Sequence, residues 1–245
     1  MKSFLTLLKN ELKLNIRNMN MVIFAVIMPL IVLFILGFIY GTKPAAEGAA
    51  YTFMEQSFSA LCCISICAGG LMGLPLVVSE YREHKILKRF HVTPVSPVKI
   101  LIVEFTIYCL YCVVSMLTLF PAALIWKVNI HGSCLLFLGS WMLTMISTLS
   151  IGLLIGGIAK NMKSASVITC ILYFPMLIFS GATLPFEVMP AVMQKIISFF
   201  PLTQGIQLMK SAFLGLPIEN FLSPVIMVAV IIICLGISVK RFKWE

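Results

Sequence analysis

Six stretches of at least 20 residues in this chain hold no Lys, Arg, Asp or Glu: residues 18–42, 56–79, 105–126, 128–159, 164–186 and 220–239. A helix of about 20 apolar residues crosses the ~30 Å hydrocarbon core of a bilayer, and a charge held at mid-depth costs on the order of 3 kcal/mol or more. Charge-free runs of this length are therefore what membrane-spanning helices require. Composition removes the alternative of a large apolar core in water. Hydrophobic residues make up 60% of the chain, charged residues 11%, and mean hydropathy is +1.06, which is more apolar surface than 245 residues can bury in one soluble domain. The expected fold is an all-α integral membrane protein with six transmembrane helices.

Two windows need interpretation. The fourth is longer than one helix and contains His131, so its span is placed at 134–158, with His131 in an outer loop. The stretch 187–219 is interrupted by Lys195 and Lys210, which leaves pieces too short to cross. It should lie in the interface or re-enter from one side. The first window exceeds the 7–15 apolar residues of a signal peptide and has seventeen residues before it, so it is expected to be a span and not a cleaved leader.

Basic residues set the expected orientation, because short cytoplasmic loops retain Lys and Arg. With the N-terminus inside, fourteen of the eighteen basic residues are cytoplasmic. Only Lys43, Lys127, Lys195 and Lys210 are outside. Six spans also return the C-terminal Lys240, Arg241 and Lys243 to the cytoplasm. The net charge of +9 is thus an orientation signal. Nucleic acid is excluded as a partner, because no basic soluble domain exists to carry it. Ahead of the first span, Leu5, Leu8, Leu12 and Ile16 form one stripe, and Lys9, Lys13 and Arg17 run beside it. This pattern predicts an amphipathic helix over 1–17 lying on the inner membrane surface.

The chemistry-bearing residues point away from catalysis. Eight cysteines lie in or beside apolar windows, where a thiol packs as a small hydrophobe, and the Cys109–Cys112 pair lacks the second ligand pair of a metal or redox site. Asp is absent from the chain. No Gly-x-x-x-x-Gly-Lys-Ser/Thr run is present to cradle a phosphate. Gly69 and Gly73 in the second window, and Gly152 and Gly156 in the fourth, have the spacing that lets helices approach closely.

The densest charge lies between the second and third windows, at 79–97. Residues 80–91 are good helix formers with Ile86, Leu87 and Phe90 on one side and Arg82, Lys85 and Arg89 spaced i, i+3, i+7. Thr93-Pro94 should end that helix, because the residue before proline avoids the α region. Ser96-Pro97 reads as the N-cap and first residue of the third span. A short, rigidly terminated helix between two spans suits a mechanical part; a solvated positive-inside loop is the plainer alternative.

The order of these parts resembles the permease subunit of a type-2 ABC exporter, over essentially the whole chain. The most specific pieces are residues 80–96, ending in Thr93-Pro94-Val95-Ser96, and the outer stretch 180–190 followed by Phe200-Pro201-Leu202-Thr203. The chain carries Lys85-Ile86 where many members carry Gly-Thr. The resemblance implies that 80–91 is a coupling helix docked on a separate ABC ATPase, with Glu80, Arg82, Glu83, Lys85, Leu87, Arg89, Phe90 and Pro94 at the contact. It implies that 184–215 is a pair of short re-entrant helices capping the outer mouth, with Pro185, Glu187, Pro190 and Pro201 at an outer gate. The whole chain, 1–245, is then one ABC transporter transmembrane domain in the cytoplasmic (inner) membrane of a bacterium. It would pair with a second permease, identical or different. It has no cofactor of its own, ATP and Mg belonging to the ATPase.

Phe58, Met72, Tyr173, Phe174 and Phe179 suit a pathway for a hydrophobic or amphipathic substrate such as a drug, lipid or small peptide. Three other readings remain: a polysaccharide or lipid-linked glycan permease, a non-transporting resistance or immunity protein, and an ion-driven transporter. The last should carry acids inside the membrane, whereas Glu55 and Glu104 sit only at span edges.

Overall fold

The computed structural model describes residues 2–17, 19–45, 49–86, 97–180, 190–217 and 222–241, and every named element among them is helical. Helix α1 covers Lys2–Arg17. The long helices α2 (Met19–Tyr40), α3 (Phe53–Glu83), α4 (Pro97–Leu124), α5 (Cys134–Ile158) and α6 (Met162–Phe179) follow. Two short helices, α7 (Ala191–Ile197) and α8 (Pro201–Leu214), precede α9 (Leu222–Arg241).

Helices α2 to α6 are long and apolar enough to cross a membrane. The sixth expected span is not among them: α9 is 20 residues, about 30 Å at about 1.5 Å per residue, and its apolar stretch among the described residues is Leu222–Ser238. Described residues thus provide five helices long and apolar enough to cross where six are expected. Helix α6 also stops at Phe179, earlier than its charge-free window; the rest of that window, to Phe186, lies outside the described residues apart from the turn at Ser180.

Helix α3 is the central post. Its most apolar window is 83% buried, whereas those of α2 and α6 are each 22% buried, so α2 and α6 flank it and turn most of their surface outward. Both α2 and α3 contain one π-helical turn, Ile23–Ile27 before Pro29 and Ala68–Gly73 before Pro75. A proline ring clashes with the carbonyl four residues earlier, and the wider turn makes room for it without ending the helix.

Glycine decides how closely the helices pack. A methyl group at Gly152 of α5 would overlap the carbonyl oxygen of Gly70, and one at Gly156 would sit 2.8 Å from Val78 Cβ, so α5 crosses α3 with backbone against backbone. Gly69 and Gly73 instead receive the ring of Tyr108 from α4. The expected close approach of helices is therefore present at Gly152 and Gly156, whereas Gly69 and Gly73 make room for an aromatic ring.

At the Phe53 end of α3, Phe58, Phe120, Phe137 and Phe213 from four helices form a buried aromatic cluster, with centroids 4.9 Å apart for Phe58–Phe120 and 5.1 Å for Phe58–Phe213. Such pairs contribute about 0.5–1.5 kcal/mol each beyond burial. Nearby, Trp126 meets Phe34 and Phe38 at 5.2 and 5.9 Å, as an interfacial aromatic belt would.

Candidate coupling site and its opposite pole

The last turn of α3 carries Glu80, Tyr81, Arg82 and Glu83. His84 caps the helix, and Lys85 takes a positive φ of 53° that breaks it. This corrects the expectation of a separate helix from Glu80: residues 80–83 continue the second span, because Pro75 and the π turn are absorbed without ending it. Glu80 is half-buried and Lys85 exposed, while Leu87, Arg89, Phe90 and Pro94 lie outside the described residues.

Arg82, half-buried, and Glu83, exposed, both reach the connection between α5 and α6. Arg82 Nη1 donates to Ala159 O at 2.5 Å and Nη2 to Gly157 O at 2.6 Å, which are carbonyls at the C-terminal end of α5. Glu83 Oε2 accepts from Met162 N, the first peptide of α6, at 2.8 Å. Each charge meets the helix end that favours it, the cation at orphan carbonyls and the anion at orphan amides. Asn161 and Ser164 add a reciprocal capping box at the start of α6.

Tyr81 joins a second group. Its hydroxyl lies 2.7 Å from Glu11 Oε2 and 3.2 Å from Glu104 Oε1, and Asn15 Nδ2 donates to Glu104 Oε2 at 3.4 Å. Glu11, Asn15 and Glu104 are all buried. One phenolic proton thus stands between two carboxylates, tying α1 to α3 and α4. The face of α1 differs accordingly from the expected stripe. Leu8 and Leu12 pack on the core, but Leu5 and Ile16 are 59% and 51% exposed, because Glu11 and Asn15 take the inward positions to reach Tyr81 and Glu104. Sequence periodicity missed this cluster, since hydrophobic spacing treats polar positions as outward; an acid at a span edge opposite one in the leading helix was the available signal.

The other pole is organised by Glu55. Its Oε2 accepts from Thr52 N at 2.7 Å in a capping box. Its Oε1 accepts from Asn129 N and lies against His131 Nε2, both at 3.0 Å. His131 N and Gly132 N in turn donate to Phe213 O of α8 at 3.0 and 2.9 Å. One buried carboxylate therefore links the start of α3, the loop after α4 and the end of α8.

Short helices α7 and α8 occupy the region expected to hold a re-entrant pair. Pro190 is exposed at the start of α7, and Pro201 is buried as the first residue of α8; Pro185 and Glu187 lie outside the described residues. The expected pathway residues do not converge. Phe58 is sealed in the aromatic cluster, Tyr173 is buried, Met72 and Phe179 are half-buried, and Phe174 is exposed on the outer face of α6.

Known proteins resemble this chain in sequence. The family described as ABC-2 type transporter matches residues 2–214. The inner membrane transport permease YhhJ of Escherichia coli K12 is 30% identical over 149 residues, which cover 59% of this chain and 39% of that protein; the Shigella flexneri protein of the same name matches equally. Nodulation protein J of Rhizobium leguminosarum bv. viciae is 31% identical over 78 residues, 32% of this chain and 30% of that protein. The aligned region thus spans well under half the length of these relatives. Taken with the span-length helices and the charged turn that closes α3, the match over residues 2–214 establishes that this chain is a multi-pass membrane protein belonging to the ABC-2 type transporter family.

Proposed function

We propose that the chain is the membrane subunit of an ATP-driven exporter in the bacterial inner membrane, worked by a separate ABC ATPase and paired with a second permease. The observation that carries this reading is the family match through the charged segment 80–96, in a chain with no phosphate-cradling loop of its own. The Arg82 end of the bundle is cytoplasmic, the Glu55 end outer, and α9 completes a sixth span with both termini inside. Helix α1 lies along the inner surface with Leu5, Ile16 and its basic residues turned to lipid. ATP binding closes the ATPases, Leu87, Arg89 and Phe90 receive the stroke, and the spans tilt to release a hydrophobic or amphipathic substrate outward. Helices α7 and α8 cap the outer mouth, with Pro185, Glu187, Pro190 and Pro201 at the gate.

A glycan permease is the second reading. It is supported by the similarity to Nodulation protein J over 78 residues.

Reconstitution with the ABC ATPase tests both. Truncating a buried interface anchor costs more than about 2 kcal/mol, against about 0.5 for an exposed residue. Phe90→Ala should therefore abolish ATPase association and transport, and Lys163→Ala should be milder. Normal transport by Phe90→Ala with the ATPase still bound would overturn the coupling role of 80–91, and saturable ATP binding by the purified chain alone would overturn the assignment as a permease worked by a separate ATPase. Uptake of an amphipathic dye against a lipid-linked oligosaccharide separates the two cargoes.

A further inference from the structure

Arg82 and Glu83 are neighbours in sequence yet hold different helices. Arg82 grips the last carbonyls of α5 and Glu83 the first amide of α6, across a connection of only Ala159, Lys160 and Asn161. Helix α5 cannot slide along α3 either, since Gly152 and Gly156 already bring the two backbones into contact at Gly70, Pro75 and Val78. The α5–α6 connection is thus bridged from one rigid helical turn by two oppositely charged side chains, each at the helix end it stabilises.

We propose that Arg82 and Glu83 are positioning residues that lock the ends of α5 and α6 to α3, so that a displacement applied beyond Glu83 moves three helices as one body. The source of that displacement rests on the exporter reading; the clamp itself does not. Glu83 then works within the permease and is not a contact to the ATPase. The short connection between α5 and α6 is carried by the clamp and does not act as a free hinge.

The test uses the full chain in lipid nanodiscs, native cysteines replaced by Ala, with spin labels at His84→Cys and Lys163→Cys, both exposed positions. The expected result is one narrow distance distribution that broadens in Arg82→Gln and in Glu83→Gln, the latter keeping side-chain shape while removing its charge. An unchanged distribution in both variants would overturn the clamp. In complex with the ABC ATPase, ATP with vanadate should leave the distance unaltered in the parent and shift it in the variants, with the ATPase still bound and, when vanadate is left out, still hydrolysing ATP. Release of the ATPase by Glu83→Gln would instead make Glu83 a contact and overturn its positioning role. Should the parent chain retain no ABC ATPase, the exporter reading falls while the distance measurement in nanodiscs still decides the clamp.

Discussion

Replacing glycine by alanine at two positions of α5 should move stability in opposite directions. In a helix interior the change gains roughly 0.5–1 kcal/mol from backbone entropy alone. At Gly139 nothing lies within 4 Å of the added methyl, so Gly139→Ala should keep that gain. At Gly152 the methyl overlaps the Gly70 carbonyl oxygen, with Pro75 Cδ a further 3.3 Å contact. The obstacle is backbone, which cannot rotate away as a long side chain could, so the two helices must separate. Overpacking of this kind costs about 1–3 kcal/mol. Because both glycines sit in one helix, the propensity gain cancels between them, and the difference between the two variants reports the crossing alone. At about 2–4 °C per kcal/mol for a chain of this size, Gly152→Ala should melt several degrees below Gly139→Ala in detergent. The assay is thermal unfolding followed by size-exclusion chromatography or intrinsic Trp fluorescence. Equal melting temperatures would refute the close approach of α5 to α3, and with it the rigid base assigned to Arg82 and Glu83.

Two further outcomes are expected. Single cysteines at Lys127 and Lys195 should react with an impermeant maleimide in intact cells, whereas one at Lys163 should not; labelling at Lys163 but not Lys127 would invert the proposed orientation. Glu55→Gln places an amide N–H against a backbone donor and weakens hydrogen bonds to a carboxylate worth about 1.5–3 kcal/mol each, so amide exchange at 128–132 should accelerate, and unchanged exchange would remove Glu55 as the organiser of that pole.

Much of the bundle was legible in the sequence because lipid imposes one-dimensional rules. A span must be apolar along its whole length, so α2 to α5 could be read from where charge is missing, and the close-packing glycine pair of α5 from its spacing. That 187–219 holds no full span was legible too, since Lys195 and Lys210 interrupt it, whereas the pair of short helices there was implied only by the resemblance. These features depend on local composition and periodicity, and no partner elsewhere in the chain is needed to recognise them.

The polar groups were decided only in three dimensions. Spacing grouped Arg82 with Lys85 and Arg89, whereas Arg82 turns to the carbonyls of Gly157 and Ala159, some 75 residues away. Glu55 and Glu104 were legible as edge acids, but their bonds to His131 and Tyr81 were not. The physical reason is the same in each case. An apolar side chain is satisfied by any apolar surroundings, so its pattern alone predicts its burial. A buried polar atom is satisfied only by a specific donor or acceptor at about 3 Å, and which one it meets is set by how the helices cross.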